Sequence, residues 1–171
     1  DPTDSLNPRH RAFDTIAGPL IRLLRMKDKQ EISAKVHELA EMVGLPSHLL
    51  NRFPHQLSGG QKARVGIARA IGVNPLLLIL DEPTSALDVS VQAVVLQLLD
   101  RLKRELGLSY IFVSHALNVV RLLCERVIVM NQGKIVEAGT SDEILLNPKE
   151  AYTQTLISAI PHFVPSAQPQ T

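Results

Sequence analysis

The chain has 171 residues and carries 18 basic residues (Lys and Arg) against 17 acidic ones, for a formal net charge of +1. This length suits one domain or the larger part of one. The balanced charge, the 4% aromatic content and the lack of Trp argue against a protein that coats nucleic acid or stacks bases. The single cysteine, Cys124, excludes an internal disulfide and is expected to be a small buried residue in a reducing compartment.

The first part of the chain predicts amphipathic helices. Apolar residues recur at three- and four-residue spacing over 12–24 and again over 30–43. The pair Gly18-Pro19 is a candidate for a bend in the first helix, and Gly44 is well placed to cap the second. The predicted buried stripes are Phe13, Ile16, Ala17, Leu20, Ile21 and Leu24 in the first helix, and Ile32, Val36, Leu39, Ala40 and Val43 in the second.

The middle of the chain predicts a β–α–β unit. Residues 76–80 and 110–113 form continuous apolar runs, a pattern typical of parallel strands that are covered on both faces. Residues 91–106 between them have helical spacing. Two buried strands joined by a helix form the crossover that parallel pairing requires. The predicted buried side of this helix contains Val91, Val94, Val95, Leu98, Leu99 and Leu102.

A hairpin and two short helices are predicted next. Residues 127–130 and 134–137 flank Asn131-Gln132-Gly133, which is typical of a tight turn. Helices are expected at 141–146 and around 152–160. Regular structure is then expected to end at Pro161, Pro165 and Pro169.

Polar residues follow both predicted strands at the point where each strand ends. Asp81 and Glu82 follow the first strand, and His115 follows the second. In open parallel sheets, ligands bind beyond the carboxyl ends of the strands. One carboxylate can hold hydrated Mg²⁺ while the other deprotonates a water, and a histidine can contact a terminal phosphate, as phosphoryl transfer requires. The alternatives are a helix cap or solvated turn for the carboxylates and a structural role for the histidine.

A glycine pair opens another helical stretch, which reaches Ile71. Ser58, Gly59, Gly60 and Gln61 stand at its start. Free backbone N–H groups and the positive end of the helix dipole attract anions there, and the glycines remove side-chain bulk. A short helix cap without a ligand is the alternative.

Together these motifs resemble the ATP-binding subunit of ABC transporters. The resemblance covers essentially the whole chain, and the motifs occur in the family's order and spacing. They are the signature motif at Leu57 to Gln61, the Walker B strand at Leu76 to Glu82, the D-loop at Ser85 to Asp88 and the switch histidine at His115. The segments Asp1-Pro2, Ser5 to Arg9, Pro54-His55 and Asp88 to Gln92 are similar to the branch that imports dipeptides, oligopeptides and nickel.

The resemblance implies a role for each motif residue. Asp81 would act on Mg²⁺, Glu82 would be the general base, and His115 would contact the γ-phosphate of ATP. Asp88 would link the two sites of a dimer. The signature residues would bind the nucleotide that the partner subunit holds; they are Ser58, Gly59, Gly60 and Gln61.

The implied fold is an α/β, P-loop NTPase domain of the ABC type, present in part as a helical subdomain and the Walker B half of the parallel sheet. The implied parts are 1–57, the exit of the Q-loop and the helical subdomain; 58–140, the signature helix and catalytic core; and 141–171, helices and a proline-containing tail. Three positions depart from the family: Ala116 stands where Asp is usual, and Lys62-Ala63 replaces the commoner Arg-Gln.

No G-x-x-x-x-G-K-[ST] sequence occurs in the chain, and its only Gly-Lys pair, Gly133-Lys134, lies in the predicted hairpin. The resemblance places the Q-loop glutamine immediately before Asp1, so the chain is expected to be a C-terminal fragment of a longer subunit. We expect the isolated chain to lack measurable MgATP binding and turnover, because a P-loop supplies most phosphate contacts.

The resemblance implies an ATPase that energises an importer for peptides or related small solutes at the cytoplasmic face of a bacterial inner membrane. Its cofactors would be ATP and Mg²⁺. Its partners would be a second ATPase subunit, membrane permease subunits and, indirectly, a solute-binding protein, with no nucleic acid. The alternatives are a soluble ABC ATPase that acts on nucleic acid or ribosomes and a non-catalytic interaction fragment.

Overall fold

The structure is a computed structural model that describes residues 5–159. The described residues form two compact units, the first ending at Val113 and the second beginning at Ser114. The first unit contains three helices, two parallel strands and a crossover helix. The second contains a β-hairpin with three short helices.

Three helices form the first part of unit one: α1 (Ala12–Arg22), α2 (Lys29–Met42) and α3 (Gly59–Ile71). Each contacts the other two, and α2 begins where the Asp28 carboxylate accepts the backbone N–H groups of residues 30 and 31. The short 3₁₀ helices Ser47–Asn51 and Pro54–Gln56 connect α2 to α3. The fully buried large side chains of these helices are Ile16, Leu20, Val36, Leu39, Val65 and Ile71.

The predicted end and buried stripe of α1 are partly wrong. The helix ends at Arg22 rather than residue 24, and Ile21 and Leu24 lie half-exposed beyond the buried stripe. The chain turns away soon after the helix, with Arg25 in a left-handed conformation (φ 56°). Pro19 lies inside α1 without interrupting it, since its carbonyl still accepts the N–H of residue 23.

The β–α–β unit is confirmed. Strand β1 (Leu77–Asp81) pairs in parallel with β2 (Ser109–Val113), and helix α4 (Val89–Leu106) connects them. Ile79 lies opposite Ile111 in this register. Helix α4 ends at Gly107, whose left-handed backbone (φ 63°) is typical of a helix C-terminal cap.

The expectation that both faces of the strands are covered is wrong for the described residues. Leu78 and Leu80 are buried in the same core as the helices, whereas Leu77 and Ile79 are 47% and 64% exposed. On the neighbouring strand, Ile111 is 48% exposed. Side chains alternate across a strand, so helices packed on one face bury only every second residue. Val94, predicted on the buried side of α4, is likewise 47% exposed.

The predicted hairpin of unit two is confirmed. Strands β3 (Arg126–Asn131) and β4 (Lys134–Thr140) pair in antiparallel fashion. Gln132 and Gly133 between them both have positive φ (48° and 75°), the geometry of a two-residue type I′ turn. The remaining elements are α5 (Leu117–Leu123), α6 (Ser141–Leu146) and α7 (Ala151–Ser158).

The C-terminal predictions lie partly outside the described residues. The helix expected around 152–160 corresponds to α7, and its last predicted residue, together with Pro161, Pro165 and Pro169, is not described. Cys124, expected to be buried, is half-buried against the small apolar core of unit two.

Candidate functional site

The start of α3 is held by a capping box. Ser58 is the N-cap residue: its Oγ accepts the backbone N–H of Gln61 (3.3 Å), and the Gln61 Oε1 accepts the backbone N–H of Ser58 (2.9 Å). These reciprocal bonds satisfy two backbone donors that a helix leaves free at its N-terminus. Ser58 remains exposed, so its hydroxyl stands beside the positive end of the helix dipole.

The glycine pair at this helix start is packed against the segment that follows β1. A Cβ atom on Gly59 would lie 2.8 Å from Leu87 Cδ2, and one on Gly60 would lie 2.5 Å from Val91 Cγ1. Any larger residue at position 60 would therefore collide with a side chain branched close to the backbone. The two glycines are therefore needed for close packing, in addition to the anion binding that the sequence suggests.

An open groove of about 300 Å³ lies beside these contacts, between the start of α3 and the first turns of α4. Ser58 and Gly60 line one side of it, and Ser90 and Val91 line the other. The residues of the predicted signature motif and those that follow the predicted D-loop therefore border one surface of unit one.

The two predicted carboxylates stand at the carboxyl end of β1. Asp81 is the exposed last residue of the strand, and the backbone N–H of Glu82 donates to the Val113 carbonyl (2.9 Å), one step beyond the strand pairing. Glu82 has φ 46°, a left-handed conformation that is uncommon for a residue other than glycine. Strained backbone of this kind is concentrated at functional sites.

A hydrogen-bonded turn connects Glu82 to the start of α4. The Ser85 N–H and Oγ both donate to the Glu82 carbonyl, at 3.3 and 3.1 Å, and the Leu87 N–H donates to the Thr84 carbonyl at 3.2 Å. The Gln92 side-chain amide donates to the Oγ1 of Thr84 (3.0 Å), which is buried. The segment between β1 and α4 is therefore an ordered turn rather than a free loop.

Asp88, expected to link two subunits, also has a local role as the N-cap of α4. Its carboxylate accepts the Ser90 hydroxyl (2.6 Å) and the Val91 backbone N–H (2.9 Å). These bonds, with the Ser90 hydroxyl first, hold the pKa of Asp88 below its ordinary value. The carboxylate is therefore ionised at neutral pH.

His115 belongs to the second unit, where it is exposed in the segment between β2 and α5. The neighbouring Ser114 Oγ accepts the N–H of Ala116 (3.0 Å), and Ala116 is the N-cap residue of α5 without a side-chain cap bond. At position 116, Ala in place of the Asp that is usual in the family therefore removes a side chain that caps helices well. The phosphate contact of His115 stays a prediction.

The predicted Mg²⁺ residue is compatible with the metal's chemistry. Within residues 5–159, no three His, Cys, Asp or Glu side chains come together as a metal-binding group. Mg²⁺ is usually held by one or two carboxylates together with waters and substrate phosphates, so an exposed Asp81 is a suitable donor.

None of the helices described has the length and apolarity needed to cross a membrane.

The sequence analysis did not identify the contacts that hold the site in place. Leu87, Val91 and Gln92 lie in motifs that it quoted and Thr84 does not, but nothing in the sequence shows which groups these residues contact. Their importance follows from tertiary contacts between segments that lie about 30 residues apart along the chain.

A parallel β–α–β unit with paired carboxylates at the end of its first strand, together with a serine-capped Gly-Gly helix start, is the arrangement expected of an ABC-type ATPase domain. A family model described as "ABC transporter" matches residues 2–85, and the chain belongs to this family. Among curated proteins, it is 49% identical to the oligopeptide transport ATP-binding protein OppF of Streptococcus mutans and 50% identical to OppF of Escherichia coli. Each match covers 94% of this chain and 52% or 48% of the relative.

A solved structure supports the same assignment. The chain is similar to a dimeric ATP-binding cassette in a post-hydrolysis state bound to ADP and Pi, with a TM-score of 0.70 and 35% identity. This match covers 80% of the present chain and 59% of the other. The coverage of the two OppF proteins shows that the chain spans about half the length of the curated relatives it matches.

Proposed function

We propose that the chain belongs to the ATP-binding and ATP-hydrolysing subunit that energises an ABC importer for peptides or related small solutes. The observation that carries the proposal is the packing of the Ser58-Gly59-Gly60 helix start against the turn that follows Asp81 and Glu82. The relatives of about 50% identity, which are named as oligopeptide transport ATP-binding proteins, support the choice of transport class.

The chemistry is assigned to the end of β1. Asp81 would hold Mg²⁺, directly or through water, and the metal would supply neutralisation of charge on the transferring phosphate. Glu82 accepts a proton from the attacking water, because a second carboxylate next to the one that would hold the metal can act as a general base. His115 orients the γ-phosphate.

The signature residues act on a second nucleotide. In the proposed dimer, the exposed Ser58 hydroxyl and the backbone N–H groups of Gly59 and Gly60 bind the phosphates of ATP held by the partner subunit. Gln61 contributes to the same site by holding Ser58 in place through the capping box. Asp88, which is ionised and fixed at the start of α4, links the two sites.

The proposed partners are a second ATPase subunit, membrane permease subunits and, indirectly, a solute-binding protein. The proposed location is the cytoplasmic face of a bacterial inner membrane, where the subunit is peripheral. The proposed division of labour is that residues 1–57 transmit motion, 58–140 carry the signature and catalytic residues, and 141–171 form the C-terminal helices and tail.

The proposal is tested with a chimeric cassette in which the preceding half of the Escherichia coli OppF relative is joined to this chain. We expect the chimera to hydrolyse ATP, and Glu82→Gln to stop turnover while an ATP-bound dimer still accumulates. Glu105→Gln, an exposed carboxylate near the end of α4, is the matched control and should leave turnover unchanged. Normal turnover by the Glu82→Gln chimera would exclude Glu82 as the base.

A further inference from the structure

The turn between α1 and α2 is exposed and concentrates positive charge. Eight of the nine residues 21–29 are exposed, and Met26 is the one that packs against the core. Four of the nine are cations and one is an anion, whereas the whole chain has a net charge of only +1. We call residues 21–29 the basic turn; its cations are Arg22, Arg25, Lys27 and Lys29.

The cations of the basic turn make no ion pair with another residue between 5 and 159. The single acid of the turn, Asp28, is engaged at the start of α2, where its carboxylate accepts the backbone N–H groups of residues 30 and 31 at 2.7 and 2.9 Å. Arg22 lies in the last turn of α1, where the helix dipole favours a cation. The other three cations have no comparable partner within the described residues.

Two of these cations stand where the local backbone does not favour them. Arg25 has φ 56°, and the N–H of Met26 next to it donates to the Leu20 carbonyl (3.1 Å) to close the end of α1. A left-handed residue at this place is usually glycine, because a side chain there is strained. Lys29 is the first residue of α2, where the helix dipole disfavours a cation. Local folding therefore explains neither side chain, and a contact outside the chain does.

Aliphatic side chains are exposed beside these charges. Ile21 is 48% exposed, Leu23 70% and Leu24 46%. The basic turn contains no aromatic residue, although aromatic side chains are enriched in the strongest protein–protein contacts and stack on nucleic-acid bases. Exposed aliphatic side chains among lysines and arginines are instead typical of segments that bind at an anionic lipid surface.

We propose that the basic turn binds the anionic headgroups of a phospholipid membrane directly. Leu23 inserts among the headgroups, and Arg25, Lys27 and Lys29 lie at the lipid phosphates, where their charges are complementary. The inference goes beyond the proposed function, in which the subunit reaches the membrane through its permease partners. It requires neither a nucleotide nor a permease.

Binding of the full chain to phospholipid vesicles tests this contact. Vesicles that contain phosphatidylglycerol should bind the chain, vesicles of phosphatidylcholine alone should bind it far less, and added salt should weaken the binding. Each cation near an anionic leaflet contributes about fivefold, so a triple variant should bind roughly tenfold less tightly or worse. The triple variant is Arg25→Gly, Lys27→Gln and Lys29→Gln, in which glycine preserves the left-handed turn. Its charge-matched control, which should bind like the parent, replaces three exposed cations elsewhere: Arg9→Gln, Lys134→Gln and Lys149→Gln.

A tryptophan at position 23 reports the surroundings of the basic turn. The chain has no Trp, so the tryptophan fluorescence of Leu23→Trp comes from this position alone. Its emission should shift to shorter wavelength on anionic vesicles and be quenched by brominated acyl chains. Leu122→Trp, at a residue of α5 that is 73% exposed, is the matched control and should show neither change. Unshifted emission of Leu23→Trp on vesicles that bind the chain would overturn the proposal.

Other ways of binding give different results. Equal binding to neutral and anionic vesicles, or binding that the triple variant retains, would assign the contact to another apolar surface, such as the exposed face of β1 and β2, and overturn the proposal. Binding to polyglutamate but not to vesicles would assign the basic turn to an acidic protein partner and overturn it as well. Because none of these measurements uses ATP, such results leave the proposed ATPase function standing. A chimera that binds vesicles but has no turnover would count against the ATPase function alone.

Discussion

Substitutions at Ser58 separate its structural role from its proposed role in nucleotide binding. Ser58→Ala removes the Oγ that accepts the Gln61 N–H, whereas Ser58→Asp supplies a carboxylate, which is an equally good N-cap. The aspartate also places a negative charge at the position where a phosphate would bind. We therefore expect Ser58→Ala to lower both stability and turnover, because it removes the cap and the hydroxyl, and Ser58→Asp to lower turnover alone.

The magnitude follows from the geometry of the cap. The Ser58–Gln61 bond is long (3.3 Å) and exposed, and in the variant the backbone N–H of residue 58 still donates to the Gln61 Oε1. Ser58→Ala should therefore cost about 0.5 to 1 kcal/mol, the lower part of the range for N-cap removal. For a chain of this size, that corresponds to a decrease in Tm of roughly 1 to 4 °C.

Thermal unfolding by circular dichroism measures the stability effect, and ATP turnover of the chimeric cassette measures the functional one. Thr140→Ala is the matched control, because Thr140 forms the same capping box at α6 with the same 3.3 Å bond. It should cost similar stability and leave turnover unchanged. Turnover at the parent rate in Ser58→Asp would refute the proposed phosphate contact at α3.

Three further predictions concern stability. The Glu137 carboxylate, which accepts the Lys149 N–H (2.8 Å) at the start of α7, has its pKa lowered from 4.5, first by the Thr153 hydroxyl and then by this N–H. The stabilising effect of this carboxylate should therefore be present above about pH 4.5 and be lost as the pH falls through its lowered pKa in the folded chain. Hydrogen exchange should then show that α7 opens in acid, and Glu137→Gln should abolish this pH dependence. Leu99→Ala in the core of unit one should cost about 2 to 5 kcal/mol in urea denaturation, while Leu122→Ala, 73% exposed, should stay within about 0.5 kcal/mol of the parent. Gly66→Ala, in the interior of α3 with open space around it, should raise stability by roughly 0.5 to 1 kcal/mol, and a lower Tm would contradict this reasoning.

The secondary structure could be predicted from the sequence where local signals agree with the tertiary environment. The β–α–β unit was predicted from two apolar runs and the helical spacing between them, and the hairpin from its turn residues. The end of α1 could not be predicted in this way. The apolar periodicity continues to Leu24, but the chain leaves the helix before the left-handed turn at Arg25.

Burial was harder to predict than secondary structure. A run of apolar residues predicts a strand with two covered faces, but whether a layer packs on each face depends on segments elsewhere in the chain. Ile79 is exposed for this reason. The contacts of Gly59 and Gly60 with Leu87 and Val91 are also tertiary, so the sequence indicated the glycines but not the side chains against which they pack.

The left-handed backbone of Glu82 has a consequence for how this position tolerates change. Most residues pay a cost of order 1 to 3 kcal/mol in such a conformation, whereas Gly adopts it freely and Asn tolerates it well. In a library of all twenty residues at position 82, selection for thermal resistance alone should therefore enrich Gly and Asn. Selection for ATP-driven growth should instead retain Glu. The difference between the two enrichment profiles would therefore measure the folding stability that is lost by having Glu at position 82.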